Sequence, residues 1–254
     1  MWEEPCISGD EGSGTVFFVG CPLGCIYCQN YKISSGMLGR EYSVSELADA
    51  FIDLQSQRAN NINLVTPTHY SYQIIDAVRE ARRKGLILPI VYNCSGYELT
   101  ETIRDLEETV DIYLVDYKYS DSDIAKEYSQ AADYPKVADE ARREMVRQKR
   151  ECTFNEKGMM TSGVIVRNLC LPGHVKNSKD VVKRVYEQYG DSVYLSIMNQ
   201  YTPLKQVENM PPLNRKVTKR EYKRLIDFVY ELGIENAFIQ EGDVADESFI
   251  PEFM

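Results

Sequence analysis

Three cysteines lie close together near the start of the chain. Cys21, Cys25 and Cys28 have the spacing C-x3-C-x2-C, and they follow the apolar run of residues 15–19, which predicts a buried strand. A short loop can present three thiolates to three corners of one cubane iron-sulfur cluster. The fourth iron of that cluster would have no protein ligand. The motif therefore predicts a 4Fe-4S cluster with one open iron at the end of the first strand.

A structural zinc site and an inert, merely packed group of cysteines are the alternatives. Structural zinc normally has four protein ligands arranged as paired C-x2-C units, and the chain contains no second pair. A disulfide does not fit the motif, because three near neighbours cannot pair off. The spacing favours the cluster over zinc or packing, and the sequence leaves both alternatives open.

The remaining cysteines are scattered. Cys6, Cys94, Cys152 and Cys170 form no short-spaced pair, so no second cluster is expected. Seven cysteines, an odd number, in a chain without an export signal favour a reducing compartment and metal use over a disulfide framework.

Composition limits the classes of protein that fit. The chain has 254 residues, 43% of them hydrophobic, which allows a single α/β domain with a sizeable core. Its formal charge is -10, with 29 basic and 39 acidic residues, so neither a nucleic acid nor a membrane surface is an expected partner. No signal-peptide pattern opens the chain, and no run approaches the ~18 apolar residues of a membrane span. We expect a cytoplasmic protein.

Strand and helix patterns alternate along the chain, with a repeat of about 25 to 30 residues that is typical of a parallel sheet with crossover helices. The predicted strands are residues 15–19, 61–66, 86–92, 111–115, 163–169 and 192–197. The predicted helices are residues 44–58, 71–84, 99–110, 178–189 and one that starts at 218. Capping boxes at Ser43 and Thr218 mark two of the helix starts. We therefore predict an α/β fold, a partial (β/α)6 barrel of parallel strands with outer helices.

The same patterns divide the chain into parts of one domain, residues 1–254. Residues 1–13 form an irregular lead-in, residues 14–200 the barrel core, residues 199–217 a long loop, and residues 218–254 a C-terminal helix and tail. Residues 120–150 predict one or two surface helices with a solvated charged face and with Val137, Ala141 and Met145 inward. Residues 236–240 predict a peripheral strand.

The cysteine motif, with Tyr27 before its last cysteine, resembles the C-x3-C-x-aromatic-C signature of the radical S-adenosylmethionine (SAM) superfamily. The flanking residues 19–21 and 27–30 are similar to the pyruvate formate-lyase activating enzyme branch, and the resemblance covers residues 15 to about 205. In that superfamily SAM chelates the open iron through its amino and carboxylate groups. Reductive cleavage then gives methionine and a 5′-deoxyadenosyl radical that abstracts hydrogen from a substrate.

The resemblance also implies SAM contacts at the carboxyl ends of the strands. The family's Gly-Gly-Glu motif is absent after the second strand, where Thr66 and Thr68 stand instead, and His69 is expected to be a hydrogen-bonding residue rather than a metal ligand. The third strand ends in a turn similar to the family's Asp/Asn-Thr-Asn-Gly turn, with Asn93 and Ser95 facing the methionine or ribose.

Charged residues end the next two strands. The pair Asp116 and Lys118 resembles an Asp-x-Lys motif of activases, in which the lysine pairs with the SAM carboxylate; a plain strand-end salt bridge is the alternative. Arg167 resembles the arginine of an Arg-x3-4-Pro-Gly segment, and Gln200 or Tyr201 replaces a family histidine. The residues predicted to bind the cofactor are Tyr27, Thr66, Thr68, Asn93, Ser95, Asp116, Lys118, Arg167 and Gln200.

The resemblance implies a radical SAM enzyme with a 4Fe-4S cluster and SAM as cofactors. Its implied partners are an electron donor such as flavodoxin or ferredoxin and, if it is an activase, a glycyl radical enzyme whose glycine loses a hydrogen. One alternative keeps the radical chemistry but gives it a small-molecule or peptide substrate. Another, from a different class, is a noncatalytic iron-sulfur or zinc-binding module. No catalytic residue and no substrate is predicted.

The motif predicts the iron content of the reconstituted protein. About four irons per chain should bind, because three thiolates and one open iron make a single cubane. Replacing Cys21, Cys25 or Cys28 by alanine should abolish this binding, whereas replacing the four scattered cysteines, as the control, should leave it intact. A full cluster in the triple variant of the motif cysteines would contradict the assignment. Iron near eight per chain, with about four remaining in that variant, would contradict the expectation that the scattered cysteines hold no second cluster.

Overall fold

The computed structural model describes residues 4–240, in which helices alternate with mostly parallel strands. The strands are β1 (Gly14–Phe17), β2 (Ile62–Val65), β3 (Ile90–Cys94), β4 (Ile112–Asp116), β5 (Thr153–Phe154), β6 (Met160–Leu169), β7 (Tyr194–Met198) and β8 (Ala237–Ile239). The helices are α1 (Pro5–Ser8), α2 (Tyr31–Ser34), α3 (Val44–Ser56), α4 (Ser71–Arg83), α5 (Thr100–Asp105), α6 (Ser122–Ser129), α7 (Tyr134–Gln148), α8 (Val175–Tyr189) and α9 (Lys219–Glu231).

The sheet runs in the order β1-β2-β3-β4-β6-β7-β8, and every neighbouring pair in this order is parallel. The two-residue β5 was not predicted; it pairs antiparallel with β6. Within the described chain, β1 and β8 end the order and do not pair with each other, so the barrel is open between them. The prediction of a partial barrel of parallel strands is confirmed, and β8 is the predicted peripheral strand.

Strand alternation separates the two faces of the sheet. In β3, Tyr92 and Cys94 pack into the main core between sheet and helices, whereas Val91 and Asn93 point into the barrel. The parallel register sets Asn93 beside Val65 and Asp116 beside Arg167. Inward side chains at the carboxyl ends of different strands therefore meet at one end of the barrel.

The lead-in is not wholly irregular, because the short helix α1 lies within it. Pro5 is at its first position, where a proline costs no helical hydrogen bond. Ile7 is fully buried against inward residues of β3, β4 and β6. The side-chain amides of Asn60 and Asn61 donate to the carbonyls of Ser8 (2.5 Å) and Ile7 (2.7 Å). This helix fills the end of the barrel opposite the carboxyl ends of the strands.

The third strand begins later than predicted. Residues 86–89 are apolar, but Ile87 is 82% exposed and does not join the sheet. Its backbone N–H donates instead to the Gln55 side chain at 2.8 Å. The backbone here is hydrogen-bonded to a side chain of α3 and not to a neighbouring strand, so β3 starts only at Ile90. The helix predicted over residues 99–110 is also shorter than expected and ends at Asp105.

Residues 120–150 form two helices, α6 and α7, and are less solvated than predicted. Ala141 and Met145 are buried as expected. Arg142, however, is only 1% exposed: its guanidinium lies 3.9 Å from the Tyr117 ring and pairs with Asp139 at 2.5 Å. A buried cation is tolerated because a carboxylate and an aromatic face replace its water.

The remaining predictions about elements agree with the structure. Ser43 and Thr218 cap α3 and α9 with complete capping boxes. Residues 199–217 form a loop that contains only a short 3-10 turn at Lys205–Val207. The predicted tail beyond residue 240 lies outside the described residues. No helix among residues 4–240 has the length and apolar character of a membrane span.

Gly96 shapes the turn after β3. Its φ of 80° is in the left-handed region, and a Cβ there would overlap the carbonyl oxygen of Asp116. Gly158 has a similar φ of 74°, but no atom lies within 4 Å of the place that a Cβ would take. An alanine at Gly158 would thus have backbone strain alone, whereas an alanine at Gly96 would have backbone strain and steric overlap.

We expect Gly96→Ala to lower the free energy of unfolding more than Gly158→Ala does. Both substitutions place alanine at a positive φ, at a cost of about 1–2 kcal/mol. Only Gly96→Ala also pushes against the end of β4, which should add about 1–3 kcal/mol. Urea denaturation of the two variants measures the difference. Equal losses would show that the turn after β3 has room for a methyl group.

Candidate active site

The cysteine loop is fastened to the C-terminal end of α6. The backbone N–H groups of Gly24 and Ile26 donate to the carbonyls of Ser129 (3.3 Å) and Tyr128 (3.0 Å). Leu23 is buried in the main core beneath the loop. These contacts fix the backbone between the cysteines, so their side chains have defined positions.

A cavity of about 490 Å³ extends from the cysteine loop into the barrel. Most of the residues predicted for the site meet in its wall: Cys25, Cys28, Tyr27, Asn93, Asp116, Lys118, Arg167 and Gln200. Tyr201, the alternative to Gln200, also lines it, and Cys21 packs at the edge of the main core on the same loop. Thus two of the three motif cysteines and the polar ends of three strands line one cavity.

Asp116 links the two cations of this cavity. Its carboxylate accepts from Lys118 Nζ at 2.6 Å and from Arg167 Nε at 2.9 Å, while Arg167 Nη2 donates to Asn93 Oδ1 at 2.6 Å. Burial would raise the pKa of Asp116, but Arg167 and Lys118 outweigh it and hold the pKa below its usual range. The three side chains therefore carry one net positive charge into the cavity.

The strand-end salt bridge considered for Asp116 and Lys118 is thus present. It does not remove their capacity to hold a ligand, since an ammonium has three donors and Asp116 accepts one of them. A net positive, largely buried group suits a carboxylate such as that of the SAM methionine. The assignment of Lys118 and Arg167 to that carboxylate stays a prediction.

Three predicted contact residues lie outside the cavity wall. The Thr68 hydroxyl donates to Glu98 at 2.7 Å, and the Ser95 carbonyl accepts from Tyr134 at 2.8 Å. Thr66 has a positive φ of 58° in the turn after β2. Their roles as SAM contacts stay predictions. His69 lies beside Gly20, at the beginning of the cysteine loop.

Glu98 was not identified from the sequence. It is 2% exposed, and its carboxyl accepts from Thr68 and from the Tyr92 hydroxyl (3.3 Å) behind the ends of β2 and β3. Burial raises the pKa of Glu98 to about 7, against the opposing effect of these hydrogen bonds. A single glutamate in a turn has no spacing that would have singled it out. It anchors the Thr68 turn to the sheet.

Several further residues that line the cavity were not identified from the sequence either. Ser8, Ser13 and Thr15 line it, together with Gln29 and Asn30 from the cysteine loop. Alternation within β1 could have indicated Thr15, because every second residue of a barrel strand faces inward. The serines come from the lead-in, where no periodicity indicates direction.

The three thiols of the cysteine loop are a donor set that fits a cubane cluster. Among residues 4–240, no three or more Cys, His, Asp or Glu side chains converge on a point where one metal ion could sit. A cubane does not need such convergence, because each thiolate binds a different iron. Burial raises the pKa of Cys25, whereas Lys118 and the Ser129 hydroxyl oppose this rise and favour the thiolate that iron binds.

Comparison with known proteins identifies the family. The model of the Radical SAM superfamily matches residues 15–167, more than half of the chain. An uncharacterized protein of Methanocaldococcus jannaschii is 24% identical over 232 residues, which cover 88% of this chain and 63% of that protein. The chain therefore spans less than two thirds of that relative.

Solved structures with the same fold cover most of the chain. Methylornithine synthase (PylB) is 14% identical with a TM-score of 0.59, over 89% of this chain and 63% of that one. Streptococcus suis SuiB, bound to its precursor peptide SuiA, is 12% identical with a TM-score of 0.58, over 91% and 49%. HydG, a maturase of FeFe-hydrogenase, is 13% identical with a TM-score of 0.56, over 92% and 52%. These likenesses show a shared barrel.

The match of the family model, the cysteine motif at the end of β1 and the open parallel barrel agree. Members of the matched family use a 4Fe-4S cluster together with SAM. The chain belongs to the radical SAM superfamily.

Proposed function

We propose that this protein cleaves SAM reductively and abstracts a hydrogen atom from a glycine of a partner protein. One observation carries the proposal: the motif cysteines Cys25 and Cys28 line the same cavity as the positive group formed by Asp116, Lys118 and Arg167. When bound, the cluster and SAM supply one-electron cleavage of the sulfonium to methionine and a 5′-deoxyadenosyl radical, which leaves as 5′-deoxyadenosine after taking the hydrogen.

The residues of the chain have separate tasks in this proposal. Cys21, Cys25 and Cys28 hold the cluster at the mouth of the barrel. Lys118 and Arg167 bind the methionine carboxylate, and Asp116 keeps both cations turned into the cavity. Asn93, to which Arg167 also donates, and Gln200 offer amide groups to the polar parts of SAM.

The choice of a glycine substrate rests on the activase-like features of the sequence. The Asp-x-Lys pair at the end of β4 and the residues flanking the cysteines are those that resemble the activating-enzyme branch. The electron would come from flavodoxin or ferredoxin.

A small molecule or peptide is the second candidate substrate. The cavity continues past the strand ends to the hydroxyls of Ser8, Ser13 and Thr15, a neutral polar lining that suits a small polar molecule. The structural neighbours also include a synthase of methylornithine and an enzyme bound to a precursor peptide. With this substrate the roles of the cysteines, Lys118 and Arg167 would be the same.

The first test is SAM cleavage. Anaerobically reconstituted protein with dithionite should release 5′-deoxyadenosine, and the variant lacking the three motif cysteines should release none. A full cluster without any cleavage would contradict the proposal of a radical enzyme.

The substrate is tested in the same reaction by electron paramagnetic resonance. Each candidate glycyl radical enzyme is added with SAM and reductant, and a glycyl radical should appear only when this protein is present. Cleavage that couples to a small molecule or peptide, with no glycyl radical in any partner, would select the second candidate.

The second test concerns SAM binding. Lys118→Ala and Arg167→Ala should each weaken SAM binding by about 1.5–3 kcal/mol, since each removes a hydrogen bond to a charged group. Iron content should stay unchanged, because neither residue is a ligand. Lys126→Ala and Arg143→Ala remove exposed cations outside the cavity and serve as controls. Titration of SAM into the four reconstituted variants measures the effect. Wild-type affinity in both cavity variants would place the carboxylate elsewhere.

A further inference from the structure

Three buried hydroxyl groups form a hydrogen-bonded line that ends on Cys25. Ser129 Oγ lies 2.9 Å from Cys25 Sγ, Tyr119 OH lies 2.7 Å from Ser129 Oγ, and Tyr27 OH lies 2.5 Å from Tyr119 OH. No step proposed above uses Ser129 or Tyr119. The line connects the end of α6, the segment after β4 and the cysteine loop itself.

The donor and acceptor of each of these hydrogen bonds follow from the Cys25 sulfur at the end of the line. A sulfur that binds iron is a thiolate without a proton, so it can only accept. Ser129 must therefore donate to Cys25, and its oxygen is then free to accept from Tyr119. By the same reasoning Tyr119 accepts from Tyr27. All three O–H groups point towards the sulfur, and each bond polarises the next.

The hydroxyl groups are held firmly and kept from water. Tyr27 is 7% exposed, Tyr119 0% and Ser129 1%. The Ser129 carbonyl accepts from Gly24 of the cysteine loop, and the Tyr119 ring packs edge-on against Tyr134 at 5.4 Å. Donors fixed in this way need no rearrangement when charge on the sulfur changes, and the low polarity around them strengthens their effect.

Cys28 also has a side-chain hydroxyl within hydrogen-bond distance, but that contact is longer than the one at Cys25 and its serine is less buried than Ser129. Cys28 Sγ lies 3.5 Å from the hydroxyl of Ser34, on the part-exposed helix α2. Cys21 has a hydrogen bond with the backbone of Leu23. Cys25 is thus the ligand at which the protein adds a short, buried donor.

We propose that Ser129, backed by Tyr119 and Tyr27, is a positioning residue that raises the reduction potential of the cluster through Cys25. This rests on the proposed function in that Cys25 holds the cluster. Reduction from the 2+ to the 1+ state adds one electron and one negative charge, shared by the sulfurs, and no proton or bond moves along the line. A donor to a ligand sulfur stabilises the more negative, reduced state.

The test is a redox titration of the anaerobically reconstituted full chain, followed by electron paramagnetic resonance of the reduced cluster. In Ser129→Ala the reduction equilibrium should become at least about tenfold less favourable, a downward shift of about 59 mV or more for a one-electron couple. Tyr119→Phe should shift the potential in the same direction by less, because Ser129 still donates. Ser129→Thr keeps a hydroxyl and should restore the wild-type potential.

Ser178→Ala is the matched control. Ser178 is as buried as Ser129, at 1% exposure, but it lies beside Cys170, which is not a motif cysteine. Its removal should leave the potential unchanged. Iron content is measured in every variant, so that a loss of cluster is distinguished from a shift of potential.

Unchanged potentials in both Ser129→Ala and Tyr119→Phe, with full iron content, would overturn the proposal and leave the proposed function intact. If Ser129→Ala fails to assemble the cluster, the potentials of the Tyr119→Phe and Ser129→Thr variants are compared instead. A lower potential in Tyr119→Phe than in Ser129→Thr supports the proposal, and equal potentials overturn it. A wild-type protein that assembles no four-iron cluster would overturn both the proposed function and this inference.

Discussion

A partly buried carboxylate between two cations is the interaction on which the site depends. Asp116 ends β4 and bonds Lys118 two residues later and Arg167 on the neighbouring strand β6. Removing Asp116 would leave two cations side by side without the carboxylate that separates them. Because Arg167 also bonds Asn93, the group ties the ends of three strands together. The barrel therefore opens on a preset positive surface.

The cysteine loop depends on a different part of the fold. Its backbone is bound to the end of α6, and a hydroxyl from the same end reaches Cys25. The segment of charged helices thus supports the loop that carries the motif, in addition to covering the sheet. Its exposed face carries charges, while its buried face supplies Ser129 and Tyr134 to the neighbourhood of the site. The two amphipathic helices α6 and α7 therefore cover the sheet and also support the cysteine loop.

Net charge and local charge have opposite signs in this molecule. The chain carries a formal charge of -10, which governs its general behaviour towards polyanions. The cavity nevertheless holds one more cation than anion among Asp116, Lys118 and Arg167. Coulomb interactions in a partly buried space are stronger than those at the surface, so the positive charge of this group acts strongly on a ligand beside it. An anionic group such as a carboxylate can be bound by a protein that is acidic overall.

The sequence alone determined the alternation of strands and helices, the cysteine motif and the capped starts of α3 and α9. These features depend on residues close together in the chain, where periodicity and spacing can be read directly. The sequence also predicted that residues at the strand ends lie together, because parallel strands bring their carboxyl ends to one edge of the sheet. Only the tertiary structure decided that Asp116 pairs with both cations and that Gln55 delays the start of β3. It alone placed Ile7 within the barrel and Ser129 on Cys25, 104 residues away. Such contacts depend on register and packing between distant segments, which no local pattern specifies.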